Sequence, residues 1–275
     1  MSIAILLLST LSWGWPLAKP TPPTEAILAE GLRLYQSERS SWVATDLMLA
    51  TTIDRAQIGG YLSYLAGDSV RTIFWPKGTA GTVGTPLLAS YSFLRQDVRV
   101  GTGNYRPAGA FTAHEAQLFA IRQAVREEMS AGKNPYPVPA NTSLNIALVE
   151  AANEVRAYLI VGPKESGVVP IGNDFLLTFS PGGKFKSIER LHNSYLPLRR
   201  DAVEQEVKAM IHSHLAAHPY ITPTDICSTL LYRTKMPGQQ HIVVSEEYVS
   251  LFDIDTQQLA ILTRKAFEKM SNFKK

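Results

Sequence analysis

The sequence predicts an α+β fold in which a mixed sheet is flanked by helices. Three observations carry this prediction. Apolar residues recur at helical spacing near residue 30, a capped amphipathic helix begins after Thr112, and a strand-rich pattern follows residue 140. An N-terminal part with helices and a strand hairpin is therefore expected to pack against a C-terminal mixed sheet.

The composition is that of an ordinary globular protein. The chain has 275 residues, of which 45% are hydrophobic and 19% charged, enough for one large domain or two modest ones. The formal net charge is only +3 and is spread along the chain, so nucleic acid is not indicated as a partner. The single cysteine excludes an internal disulfide and a zinc site built from thiolates.

Residues 1–18 are apolar and carry no charge before Lys19. This run is too short for a stable membrane span and is typical of the hydrophobic region of a secretory signal peptide. It therefore predicts export, to the periplasm or the exterior. The run lacks a positive segment and a good cleavage site, so a buried N-terminal strand in a cytoplasmic protein is the alternative.

Residues 19–133 form the predicted N-terminal region of helices and a strand hairpin. Pro22 and Pro23 open a first helix, because proline is favoured in the first helical turn. Residues 70–75 and 87–93 are expected to be strands, joined by a Gly/Thr/Pro loop. Thr112 and Glu115 have the spacing of a capping box, which predicts a helix from there to Gly132.

The proline-rich stretch 134–140 is the predicted linker to a mixed-sheet region at residues 134–275. Residues 194–200 are expected to be irregular, and residues 256–274 to begin polar and end as a helix. A short helix is predicted at 225–233. The predicted strands are residues 144–149, 155–161, 175–179, 185–188, 241–245 and 248–254.

The clearest chemical signal is a pair of histidines followed by a helix start. His212 and His214 alternate, so on a strand they point to one face. Thr222 has the position of a helix cap and Asp225 lies in the first turn after it. Two imidazoles and one carboxylate can bind a divalent metal such as zinc and leave a fourth position for water, which is the layout of a catalytic site.

The spacing His-x-His, seven residues, Thr, two residues, Asp resembles the signature of JAMM-type (MPN-fold) zinc metallopeptidases. The resemblance implies a JAMM/MPN-like C-terminal half in which His212, His214 and Asp225 bind zinc. It also implies a general base, for which Glu154 at the start of a strand is the candidate and Glu150 the fallback, and an oxyanion stabiliser at Thr222. The implied activity is hydrolysis of a peptide or isopeptide amide in a peptide or protein substrate. Leu215 and Thr222 depart from the proline and serine that are usual in the family.

Two other interpretations remain open. In the first, the protein is a non-enzymatic exported or envelope-associated binding or effector-related module, and its His/Asp cluster is structural or degenerate. In the second, it is a metal-binding protein that lacks the catalytic acid. The sequence also indicates roles for four further residues. His192 has no identifiable partner, Asp174 belongs to a turn, His218 is a solvated loop residue or an alternative ligand, and Cys227 is buried.

Overall fold

The computed structural model describes residues 21–107, 109–199, 207–236 and 238–272. The predicted export segment 1–18 lies outside these residues. Within them the chain is a mixed α+β protein, which confirms the predicted fold class. The helices are α1 Thr24–Leu49, α2 Ala113–Ser130, α3 Pro223–Leu231 and α4 Arg264–Asn272.

In the described part of the chain, the strands form three four-stranded sheets and two short ladders. The four-stranded sheets have the orders β1-β2-β4-β5, β11-β10-β8-β7 and β13-β14-β15-β16, and β9 pairs with β12 as β3 does with β6. The strands are β1 Ile58–Ala66, β2 Ser69–Pro76, β3 Pro86–Leu87, β4 Ala89–Leu94, β5 Asn104–Arg106, β6 Gly109–Ala110, β7 Thr142–Ala151, β8 Glu154–Pro163, β9 Val168–Gly172, β10 Phe175–Phe179, β11 Phe185–Arg190, β12 Tyr195–Arg199, β13 Ala209–Ser213, β14 Gln240–Val244, β15 Tyr248–Asp253 and β16 Gln258–Thr263.

One local prediction was wrong and another was incomplete. Residues 194–200, expected to be irregular, contain β12, whose Leu196 and Leu198 lie opposite Ile171 and Val169 of β9. The intervening Pro197 hides this alternation in the sequence. Residues 256–274 do end as a helix, α4 from Arg264, but the prediction missed β16 before it, where residues 258–263 complete the ladder with β15.

The capping box is present as predicted. The Thr112 hydroxyl accepts a hydrogen bond from the Glu115 N–H, and the Glu115 carboxylate accepts one from the Thr112 N–H. The α2 helix then packs Phe119 against Trp75 of the first sheet. Phe175 of the second sheet belongs to the same core, so side chains from both predicted regions are buried together.

The strand β13, the helix α3 and the strand β14 form a βαβ unit. The two strands are parallel, with His212 opposite Val243, and α3 lies in the connection between them. In such units the carboxyl end of the first strand faces the amino end of the helix that follows, which is where polar sites form. This unit therefore brings the two ends of the predicted motif together.

Helix α3 is held from its other side by α1. A Cβ atom added to Gly31 of α1 would lie 2.8 Å from the Cβ of Ile226 in α3, so glycine is required at this crossing. Ile226 is fully buried with Met210 and Val243 of the strands. The packing of α1 thus fixes the position of α3.

None of the helices within the described ranges is both long enough and apolar enough to cross a membrane.

Candidate metal centre

Four side chains from three chain segments converge at the carboxyl end of β13. His212 is on β13, His214 follows it directly, and Asp225 lies in the first turn of α3. The fourth is His192, in the connection between β11 and β12. One donor atom from each of the four lies within 4.8 Å of all the others, so the group could hold a metal ion.

The Nε2 atoms of the three histidines point toward one another. His214 Nε2 lies 2.7 Å from His192 Nε2 and 2.8 Å from His212 Nε2. The distances from the Asp225 carboxylate are 3.3 Å to His192 Nε2, 3.5 Å to His214 Nε2 and 3.6 Å to His212 Nε2. The three carboxylate distances are close to the edge of a tetrahedron around Zn²⁺, about 3.3 Å for metal–ligand distances of about 2.0 Å, and the two distances between imidazole nitrogens are shorter than that edge.

Asp225 is oriented by the cap of its own helix. Its Oδ2 accepts hydrogen bonds from the Thr222 N–H, at 2.9 Å, and from the Thr222 hydroxyl, at 2.8 Å. Its Oδ1 is buried and makes no hydrogen bond, although His192 Nε2 and His212 Nε2 are near it. A buried carboxylate oxygen without a hydrogen bond is costly unless a cation compensates it. The Oδ1 atom therefore fits a metal ligand.

The other nitrogen of each histidine has its own partner. His192 Nδ1 lies 2.6 Å from Asp174 Oδ1, and His214 Nδ1 lies 2.8 Å from the Tyr220 carbonyl oxygen. His212 Nδ1 lies 2.9 Å from a further imidazole. A carboxylate and a carbonyl can only accept, so the first two histidines carry a hydrogen on Nδ1 and turn Nε2 toward the centre. Metal-binding histidines are held in this way.

The pKa values of the converging side chains are also compatible with a bound cation. Burial lowers the pKa of His212 and of His214. Burial acts likewise on His192, but the carboxylates of Asp225 and Asp174 outweigh it and raise the pKa of His192 to about 11. Burial alone would raise the pKa of Asp225, whereas the three imidazoles hold it well below its usual range. The converging atoms therefore require a positive charge, and a metal ion supplies one without protonating a ligand.

His192 and Asp174 correct the roles that the sequence indicated for them. His192 was expected to lack a partner, yet it contacts His214, Asp225 and Asp174. Asp174 was expected to be a turn residue, yet it is buried and bonded to His192. His192 lies 212 − 192 = 20 residues before His212, in the loop between β11 and β12. No local spacing connects the two, so only the tertiary packing brings them together.

The proposed general base lies apart from the four converging side chains. Glu154 begins β8, where its carboxylate is 2.8 Å from Arg156 Nε and 3.8 Å from Lys186 Nζ. On β8 the residue opposite Phe175, the neighbour of Asp174, is Leu159. Glu154 lies five residues before Leu159 on β8, which places the two residues about 17 Å apart at the usual rise of a strand.

The remaining candidates have other neighbours. The Glu150 carboxylate is 2.8 Å from His114 Nε2. The His218 ring lies 3.6 Å from Glu189, and its carbonyl oxygen is 3.0 Å from His214 Nδ1. Cys227 is fully buried, as predicted. The catalytic roles of Glu154 and Thr222 stay predictions.

Searches against known proteins found no match, neither among protein-family models nor among curated proteins. The resemblance to JAMM-type metallopeptidases therefore rests on the motif and on the convergence of His212, His214 and Asp225.

Proposed function

We propose that this protein binds one zinc ion through His192, His212, His214 and Asp225, and that the ion fastens three segments of the fold together. The observation that carries the proposal is the convergence of three Nε2 atoms on the buried Asp225 carboxylate, whose Oδ1 has no hydrogen bond. The segments are the β11–β12 connection, the end of β13 and the first turn of α3.

The chemistry of the donor set favours zinc. Three imidazole nitrogens and one carboxylate oxygen are common ligands of zinc, which takes four ligands in a tetrahedron. Calcium and magnesium prefer sites made mostly of oxygen ligands. The side chains of His214 and Asp225 are 2% and 1% exposed, so these ligands are withdrawn from solvent.

A structural role is favoured because the protein itself supplies four ligands. Catalytic zinc sites usually have three protein ligands and a position left for water or substrate. A hydrolytic site also needs a base within hydrogen-bond reach of the water. Among the described residues, the one carboxylate in the ligand group is that of Asp225, and Glu154 is engaged with Arg156 and Lys186.

A zinc-dependent amide hydrolase of JAMM-like type is the second candidate. It is favoured by the fact that His212, His214 and Asp225 supply three of the four converging donors. Zinc in such a site polarises amide carbonyls and lowers the pKa of water. This function requires His192 to leave a position open and a carboxylate, predicted as Glu154, to approach it. The substrate would be a peptide or protein.

The decisive experiment is elemental analysis of the purified protein and of histidine variants. We expect about one zinc ion per chain in the wild type and far less in His192→Ala and in the double variant His212→Ala/His214→Ala. His218→Ala is the matched control, because it removes a nearby imidazole outside the ligand group, and it should retain zinc. Absence of metal from the wild type after incubation with zinc would refute the proposal.

Variants of His192 and Glu154 then distinguish a structural zinc site from a hydrolytic one. If the site is structural, His192→Ala lowers zinc affinity and the wild type cleaves no member of a peptide library. If it is hydrolytic, the wild type cleaves peptides, and Glu154→Gln abolishes cleavage while zinc content is unchanged.

A further inference from the structure

One imidazole next to the metal centre lies outside the ligand group. His241 is on β14, completely buried, and both of its ring nitrogens have a partner. Its Nε2 lies 2.9 Å from His212 Nδ1, and its Nδ1 lies 2.6 Å from the hydroxyl of Thr229 on α3. The three side chains form a chain of hydrogen bonds that runs from the centre across β14 to the helix.

The direction of these hydrogen bonds follows from the role of His212. A neutral histidine that binds metal through Nε2 carries its hydrogen on Nδ1, so His212 must donate to His241. His241 then accepts on Nε2, carries its own hydrogen on Nδ1 and donates to the Thr229 oxygen. The reverse direction would place a hydrogen on His212 Nε2 and remove it from the ligand set.

His212 differs from the other two histidine ligands in this respect. His192 faces the Asp174 carboxylate and His214 faces a carbonyl oxygen, and both of these groups can only accept. The partner of His212 is an imidazole, which can either donate or accept. The Thr229 hydroxyl is in contact with the other nitrogen of this imidazole and can accept from it, which gives a hydrogen on His241 Nδ1 a partner and leaves Nε2 to accept from His212.

We propose that His241 and Thr229 are positioning residues that hold His212 in the tautomer that binds metal through Nε2. The inference rests on the zinc binding proposed above. It predicts that zinc affinity depends on two buried side chains that do not touch the ion, one of them on the same helix as the ligand Asp225. Outer partners of metal-binding histidines commonly change affinity by about 10- to 100-fold when replaced.

The test is zinc affinity, measured by competition with a chromophoric chelator. We expect His241→Leu to weaken binding by about 10- to 100-fold, and Thr229→Val by about tenfold, the lower end of this range, because it is one step further from the ion. His241→Gln should recover part of the affinity, since its amide oxygen can accept from His212 and its amide nitrogen can donate to Thr229. Thr229→Ser keeps the hydroxyl and should bind as the wild type does.

A second readout separates positioning from mere packing. Thr72→Val is the matched control, because Thr72 is also a fully buried threonine but is hydrogen-bonded to Ser40 of α1 and Ser63 of β1, and it should leave zinc affinity unchanged. Nitrogen NMR of the zinc-loaded wild type should find the His241 hydrogen on Nδ1. A hydrogen on Nε2, or equal zinc affinity in wild type, Thr229→Val and His241→Leu, would overturn the inference and leave the zinc site standing. Absence of zinc from the wild type would overturn both.

Discussion

At the scale of single residues, the buried acid Glu38 is the clearest source of pH dependence outside the metal centre. Its side chain lies in α1 and is 2% exposed. Burial raises the pKa of Glu38 to about 7, against a smaller opposing effect of Arg122. The Arg122 guanidinium is not fully hydrogen-bonded, because its Nη1 is buried without a hydrogen-bond partner. The two charges therefore compensate each other incompletely.

Glu38→Gln is predicted to stabilise the protein at alkaline pH. The folded pKa lies above the usual value of 4.5, so the protonated acid favours folding; this contribution is complete below about pH 4.5 and is lost as the pH rises through about 7. The loss amounts to about 3 kcal/mol at 1.4 kcal/mol per pKa unit. Urea unfolding should find Glu38→Gln more stable than wild type at pH 8 and similar at pH 5.

The control for this prediction is Glu127→Gln, which changes an exposed acid on α2. It should follow the wild type at both pH values. Equal stability of wild type and Glu38→Gln at pH 8 would mean that Glu38 is already compensated, and the predicted pH dependence would then be wrong.

At the scale of elements, the crossing of α1 and α3 links ordinary packing to the metal centre. Gly31 allows the two helices to approach, and α3 carries Asp225 in its first turn. The Thr222 cap orients the same carboxylate from within α3. A displacement of α3 is therefore expected to change both the stability of the fold and the geometry of the ligands.

Gly31→Ala is predicted to destabilise the protein and to weaken zinc binding. Alanine would gain about 1 kcal/mol of helix propensity, but its Cβ would lie 2.8 Å from the Ile226 Cβ, which no side-chain rotation can move away. Overpacking of this kind costs about 1 to 3 kcal/mol. Urea unfolding should give a net loss of about 1 kcal/mol, and chelator competition should give a larger zinc dissociation constant.

Gly101→Ala is the matched control, because a Cβ added there meets no heavy atom within 4 Å. Its stability should stay within about 0.5 kcal/mol of the wild type. A Gly31→Ala variant as stable as wild type, with unchanged zinc affinity, would show that α3 can shift without disturbing Asp225.

At the scale of the whole molecule, the candidate metal centre joins the loop after one sheet to a strand of another. His192 follows the sheet that contains β10 and β11, whereas His212 lies on the sheet that begins with β13. A bound ion would therefore link the two sheets and α3 in the folded state. An ion that binds the folded chain and not the unfolded one stabilises the fold by mass action.

Zinc is predicted to raise the free energy of unfolding of the wild type. At a free zinc concentration 1,000 times the dissociation constant, the gain is about 4 kcal/mol. Urea unfolding with chelator and with buffered zinc would measure it. The double variant His212→Ala/His214→Ala should unfold at the same urea concentration in both conditions. If the urea midpoint of the wild type is the same with and without zinc, the proposal that the ion links three segments of the fold is wrong.

Much of the fold was predictable because it depends on neighbours along the chain. The α2 capping box requires only Thr112 and Glu115 at the correct spacing. The strand with His212 and the helix that begins beyond Thr222 follow in the same way from alternation and from cap chemistry. The strands β12 and β16 were missed because each is defined by pairing with another strand, and not by a pattern of its own residues.

The α+β class and three of the four side chains of the candidate metal centre were predictable from the sequence, because a single βαβ unit brings His212, His214 and Asp225 together. Only the tertiary structure decided that His192 completes the group, and that Asp174 and His241 hold its imidazoles. His192 and Asp174 lie in separate loops and His241 lies on the strand beside His212, so these contacts depend on the packing of the whole core, because no periodic pattern in the chain encodes them.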